Sequence, residues 1–409
     1  MPRTAEVAVT GLGLLTPAGH DADTTWTTMC RGLSLTRRDP VLAGLPIDMS
    51  CQVTGFDPEA AHGRRLARRL DRFAHLVMAA ARQAVTDALL DPGTWDGSRV
   101  AVILGVSGNS LDTYQREFIL LAQDRPSHVS PLALPRSLPN MVAAEVALAL
   151  GARGPNFALS SACASGATAI GIARALIIAG ACDIALAGSG ESGRERMSAT
   201  CFTQMQALSC RTDAPDSASR PFDTARDGFV LSEGAAVLVL ERPEHARRRQ
   251  APTRAVLRGY ASTGDAHHPI APHPEGAGAE QAMRAAMADA GCAARDIGHV
   301  NAHGTSTPVG DAAEAQAILR AFDGAPPPVT AAKGVLGHAL GAAGAIEAAL
   351  TVLTLQRQTV PPTANLTRQD PGRELDLVVG RPRTVPMENA LSNSFGFGGQ
   401  NTSLVFGAS

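Results

Sequence analysis

Two stretches rich in small residues restrict the fold of this chain more than anything else in its sequence. The first, Ala164–Gly180, is almost all Ala, Gly, Ile and Leu, with Arg174 as its only charge; the second is Gly341–Leu355. Small residues crowd a helix where neighbouring backbones must approach it closely, so both helices belong in the interior. Each follows a short apolar run, Phe157-Ala158-Leu159 in one case and Pro328–Ala332 in the other. Strand, turn and buried helix therefore occur twice. In the first copy Cys163 stands at the turn. A cysteine at a helix N-terminus faces unpaired N–H groups and the positive end of the helix dipole, which favour the nucleophilic thiolate. The same N–H groups could hold the oxyanion formed when that sulfur attacks a thioester. Taken alone, Cys163 could equally be a small inert core residue.

The surrounding elements repeat in order as well. Glu6–Gly13 is an opening strand, Asp21–Arg31 is helical, and His62–Leu89 is one long helical pattern. Arg99–Gly105, the run before Cys163, Asp183–Gly188 and Gly234–Glu241 are further strands, and residues 109–150 form an excursion with helical pieces. After Pro243 the plan restarts with a strand at Arg254–Tyr260 and an amphipathic helix at Gly276–Ala290. His299–His303 then matches 99–105, and Leu375–Val379 and Thr402–Phe406 close the chain. Continuous apolar strands alternating with helices imply sheets covered on both faces. Two related halves, 1–250 and 251–409, packed helix to helix make an α/β fold of five layers.

With 409 residues, a formal charge of −2 and 18% charged residues, the chain is not a general nucleic-acid binder. No apolar run is long and uncharged enough to span a bilayer, and no charged-then-apolar leader opens it. Seven cysteines with no CxxC pair argue against a disulfide framework or structural zinc site, and for a reducing cytoplasm. Only 4% of residues are aromatic, so the core must be aliphatic and closely packed.

Chemistry concentrates at the strand ends, where ligands gather in such folds. Asn301–Asp311 places His303 just after a strand in a polar, glycine-punctuated loop. Lys333-Gly-Val-Leu-Gly-His338 leads into the second small-residue helix, and Asn393–Gln400 is a glycine-rich turn carrying Phe395 and Phe397. A loop histidine or a lysine alone carries little weight. Cys163, His303 and His338 nevertheless arise at equivalent places in two repeats, so one site can hold all three.

These motifs, with Arg220–Val230 and Ser232-Glu-Gly234, resemble the β-ketoacyl-acyl carrier protein synthases of the thiolase-like superfamily, in their elongating Cys-His-His form. The resemblance covers nearly the whole chain, from Val-Thr-Gly-Leu-Gly at the start to Asn-Ser-Phe-Gly-Phe-Gly-Gly at the end. It implies that Cys163 takes an acyl chain as a thioester. It implies also that His303 and His338 bind a malonyl thioester and promote loss of carbon dioxide, through neutral Nε–H groups that stabilise the enolate. The backbone N–H groups of Cys163 and Phe397 are the implied oxyanion hole, with Phe397 and Phe395 at the gate. Lys333 orders the site with Glu347 as its charge partner, and Asp311 and Glu314 support it. No redox cofactor, ATP or metal is implied. A thiolase is disfavoured because no cysteine follows Cys292, and a non-catalytic partner subunit because Cys163 stands.

The resemblance further implies a dimer, either of two copies or with a chain-length-factor homologue, with the strand near 157 at the interface. It implies an acidic acyl carrier protein as partner. Arg64, Arg65, Arg68, Arg69 and Arg72 recur at helical spacing and offer that carrier a basic face. Two stretches depart from a plain alkyl tunnel: Gly105–Leu111 with polar Asn109, and Met197–Met205. They tilt the reading toward a discrete (type II) enzyme of polyketide or polyene synthesis, with primary fatty-acid elongation as the alternative.

Overall fold

The computed structural model describes residues 6–108 and 111–409, with the side chain of Asp112 excepted. Ten strands form one hydrogen-bonded path. The first five are β1 (Val7–Leu15), β2 (Val100–Gly105), β3 (Asn156–Leu159), β4 (Ile184–Ser192) and β5 (Leu231–Glu241). The second five are β6 (Ala255–Gly264), β7 (Ile297–Asn301), β8 (Val329–Thr330), β9 (Asn389–Gly396) and β10 (Gln400–Gly407). The first run has the order β3-β2-β4-β5-β1 and the second β8-β7-β9-β10-β6, the same plan twice. In each, the last strand in sequence is antiparallel to both neighbours and the others are parallel. β1 and β6 pair antiparallel and join the runs.

The helices that matter here are α1 (Arg72–Asp87), α2 (Leu111–Ala122), α3 (Met141–Leu150), α4 (Ser165–Ile178), α5 (Ala277–Asp289), α6 (Pro308–Ala321) and α7 (Ala343–Arg357). α1 and α3 cover one outer face, and α5, with α6 packed on it, covers the other. α4 and α7 lie between the sheets and touch each other, which completes five layers of the thiolase-like kind. α7 is buried on every side from Ala343 to Leu355. The small residues are required at their crossing. A Cβ on Gly166 would lie 2.6 Å from Ala345 N, and one on Gly344 would lie 2.9 Å from Ala167 N.

Two sequence expectations change. The single helix expected at His62–Leu89 is broken into Pro58–His62, one turn at Arg64–Ala67, and α1. Gly63 takes φ 76° and Asp71 takes ψ 170°, and neither conformation continues a helix. Leu375–Val379 contributes only isolated bridges at Leu377 and Val379. The strand in its place is β9, concealed because Ser392, Asn393 and Ser394 are polar yet fully buried. Asn109 lies outside the described residues.

Candidate active site

The turn that carries Cys163 is a strained one. Ala162 holds φ 49°, unusual for a residue with a side chain, between the end of β3 and the start of α4. Ser165 braces the turn by donating from Oγ to Ala162 O at 2.6 Å while accepting from Ser161 N at 2.9 Å. Cys163 is thereby set just ahead of α4, and its own N–H and that of Phe397 both hydrogen-bond the sulfur. Those are the two groups expected to form an oxyanion hole. One expectation fails: burial pushes the Cys163 thiol up to about 11, against the opposing pull of Lys333 and the two N–H groups. The resting side chain is a thiol. Desolvation outweighs the helix terminus.

His338 receives that thiol, with Nε2 at 3.2 Å from Cys163 Sγ. Its backbone is fixed by β5 and the residue before it, because His338 N donates to Val230 O and Ser232 N donates to His338 O. The His303 ring stands 5.4 Å from the His338 ring, nearly perpendicular to it. Lys333 Nζ donates to His303 O at 2.6 Å, to Glu347 Oε1 at 2.5 Å and toward His303 Nδ1 at 3.3 Å. An ammonium cannot accept a hydrogen bond, so Nδ1 of His303 is the acceptor and its proton sits on Nε2. Burial, then the charge of Lys333, holds both histidines well below their ordinary pKa. Both are therefore neutral at pH 7, as an enolate-binding pair requires.

Buried carboxylates hold the loops. Glu314 accepts from the N–H groups of His303 and Gly304, each at 2.7 Å, and burial raises its pKa to about 7. Asp311 accepts from Ser306 N and Phe222 N, and burial raises it to about 6. Glu347, paired with Lys333, is raised by burial to about 7. Sequence reasoning missed Glu191, which closes β4 and accepts from Ser107 N, Ser107 Oγ and Gly108 N. The available signal was a lone acidic residue ending an apolar strand.

Cys163, His303 and His338 open into a mostly apolar cavity of about 370 Å³ walled by Phe202, Met205, Ile270, Val309, Leu340, Phe395 and Phe397. Phe397 lies 6.2 Å from Phe202 by ring centroids, and Phe202 packs edge-on against Phe229, which abuts His338. Of the expected polar stretch Met197–Met205, Phe202 and Met205 line the cavity; Met197 points to solvent.

A model of the β-ketoacyl synthase N-terminal domain matches residues 4–246, and one of the C-terminal domain matches 254–367. The chain belongs to the β-ketoacyl synthases. It is an acyl-transferring ketosynthase. A 3-oxoacyl-[acyl-carrier-protein] synthase 2 of Vibrio harveyi is 41% identical over 98% of both chains. The ishigamide ketosynthase/chain length factor superposes with a TM-score of 0.93 at 30% identity, over 99% of this chain and 100% of that one. A type II PKS acyl-carrier protein in complex with its ketosynthase bound to the hexaketide gives 0.92 at 29%, over 100% of both chains.

The basic residues of this ketosynthase divide differently from the expected single face. Arg64, Arg65 and Arg68 are exposed. Arg69 instead pairs with the buried Glu145, and Arg72 with the fully buried Glu233. The reason is the broken helix, which turns these two side chains inward. Among the described residues no helix is long and apolar enough to cross a membrane.

Proposed function

We propose that the chain is a discrete (type II) β-ketoacyl-acyl carrier protein synthase performing a decarboxylative condensation. The observation that carries this reading is the single cavity shared by Cys163 Sγ, His338 Nε2 at 3.2 Å and the N–H groups of Cys163 and Phe397. In the first half-reaction the thiol gives its proton to His338 as sulfur attacks the acyl-carrier thioester. That proton leaves with the phosphopantetheine thiol, and the acyl chain stays on Cys163. With Cys163 acylated no thiol donates to His338 Nε2, and the neutral ring moves its proton from Nδ1 to Nε2. A malonyl thioester then sets its carbonyl oxygen between the Nε2–H groups of His303 and His338. The C–C bond to the carboxylate breaks, carbon dioxide leaves, and the electron pair becomes an enolate held by those two donors. Its carbon attacks the acyl-Cys163 carbonyl, and the N–H groups of Cys163 and Phe397 hold the oxyanion until the Cys163 sulfur departs.

The partners proposed are an acyl carrier protein, met by Arg64, Arg65 and Arg68, and a second subunit, either another copy or a chain-length-factor homologue. Edge strand β3 and the exposed Phe118, Leu134, Leu148 and Phe157 support the second subunit. Gln206, a polar residue in the cavity wall, supports a polyketide or polyene chain. The higher identity to the Vibrio harveyi synthase than to the two solved structures favours primary fatty-acid elongation instead. Purified protein given malonyl carrier and equal amounts of saturated, unsaturated and β-keto primers of one length decides between them by intact mass. Preferred extension of the unsaturated or β-keto primer is expected. Exclusive use of the saturated one selects fatty-acid elongation, and no condensation at all overturns the function.

A further inference from the structure

The wall of the acyl cavity is held by a buried ion network that none of these steps uses. Arg194 stands at the foot of the helix Arg196–Gln204, whose Phe202 lines the cavity with the following Met205. Its guanidinium forks onto Asp39, Nε to Oδ2 at 2.7 Å and Nη2 to Oδ1 at 2.8 Å, while Nη1 donates to Glu233 Oε1 at 3.0 Å. Both carboxylate side chains have no exposure, so each depends on its cation. Asp39 also accepts from Val41 N and Ser50 Oγ and thereby orders the segment beside the helix. Leu42 of that segment and Ala199 of the helix share one apolar cluster with Phe229 and Leu340. One residue before Arg194, the backbone must come close to the cavity: a Cβ on Gly193 would lie 2.8 Å from Leu340 Cδ1. Leu340 follows His338 by two residues.

We propose that Arg194 is a positioning residue for acyl-chain selection: its fork onto Asp39 and its bond to Glu233 hold the helix Arg196–Gln204 against the cavity, so that Phe202 and Met205 set which acyl chains fit. Arg194 does not line the cavity and touches none of Cys163, His303 and His338. The proposal rests on the reading that Cys163 takes the acyl chain. Losing the fork lets the wall recede, which admits longer chains at the expense of the short-chain fit.

Arg194→Lys keeps a cation between the carboxylates but cannot fork. Arg194→Met with Asp39→Asn removes the pair together and leaves Glu233 to Arg72. Each is assayed for single-turnover acylation of Cys163 by short-chain and long-chain acyl carrier protein, read by intact mass. The same substitutions in a Cys163→Ala chain are assayed for carbon dioxide release from malonyl carrier. In both variants the long-to-short acylation ratio is expected to rise about tenfold, the scale on which a wall discriminates methylenes, with carbon dioxide release unchanged. An unchanged ratio in a folded variant overturns the proposal. Acylation of all chains falling together with carbon dioxide release also overturns it, because that is general structural support. Absence of wild-type Cys163 acylation would remove the underlying reading instead, whatever the variants do.

Discussion

The two halves of the molecule share a strand plan and even a device, yet they set different side chains on it. In each half the loop after the second strand offers two consecutive N–H groups to one buried carboxylate. Ser107 and Gly108 meet Glu191 in the first half, and His303 and Gly304 meet Glu314 in the second. At the next equivalent position the first half bears Cys163 at the head of α4, and the second bears Lys333 and His338 ahead of α7. Duplication thus provides two matched strand ends facing one cavity, and in the proposed mechanism side-chain identity alone assigns acyl capture to one half and enolate stabilisation to the other. Around its two histidines the second half buries Lys333, Glu347, Asp311 and Glu314, and His299 lies buried in the strand ahead of them.

That asymmetry can be broken first at Lys333. Lys333→Met strands Glu347 in the core, and removing one partner of a buried pair costs about 3–5 kcal/mol. Lys333→Met/Glu347→Leu is expected to recover most of that loss in a thermal melt without restoring decarboxylation. Recovery of both would mean that Lys333 serves stability alone.

Acid should act next, through His299. His299 is fully buried, with neither ring nitrogen hydrogen-bonded among the described residues, and burial pulls its pKa down to about 3. The unfolded chain binds the proton near pH 6.5 and the folded chain does not. Stability is therefore full above pH 6.5 and falls as pH drops toward 3, by about 3 kcal/mol between pH 7 and 4 from this residue. Denaturant melts of His299→Phe should show a shallower acid slope; an identical slope would assign the loss to other groups.

The paired clamps give a sharper comparison. Glu314 meets His303 N and Gly304 N with separate oxygens, so glutamine, with one carbonyl, must lose one of them, whereas Glu191 takes Ser107 N and Gly108 N on Oε2 alone and needs a larger change. Glu314→Gln is expected to slow decarboxylation about tenfold and spare Cys163 acylation, and Glu191→Ala, which removes the acceptor, to do the opposite. Equal effects of both variants on both half-reactions would dissolve the distinction.

The smallest effect lies on the surface. Arg65→Glu with Arg68→Glu should weaken carrier binding severalfold at low salt and less at high salt. Arg69→Glu should instead lower the melting temperature, since it opposes the buried Glu145. Salt-independent kinetics in the first variant would leave that face merely solvated.

Much of this was legible in the residues because the repeat and the buried small-residue helices leave strong patterns. Cys163, His303, His338 and Lys333 each sit beside such a pattern, and the structure brings them together. What escaped depends on tertiary burial. β9 reads as polar because its buried Ser392, Asn393 and Ser394 owe their place to the sheet and not to hydropathy. Arg69 and Arg72 look like the arginines beside them, and only the break at Gly63–Asp71 turns them inward. Arg194 forks onto Asp39, 155 residues away, and Glu191 accepts from Ser107, 84 residues away, both beyond any local pattern. The protonated state of Cys163 was misjudged because desolvation is set by the whole fold, whereas the helix terminus is visible locally.

The central claim is that the first half captures the acyl chain and the second releases carbon dioxide, and separating the half-reactions tests it most directly. Acylation of position 163 from acyl carrier and carbon dioxide release from malonyl carrier are measured for folded Cys163→Ala, His303→Ala and His338→Ala. Cys163→Ala should lose acylation entirely and retain carbon dioxide release. Each histidine variant should still be acylated, more slowly for His338→Ala, while its carbon dioxide release falls about 10²–10³-fold, as for a lost oxyanion donor. Equal loss of both half-reactions in all three variants would contradict the division and make the histidines activators of the thiol.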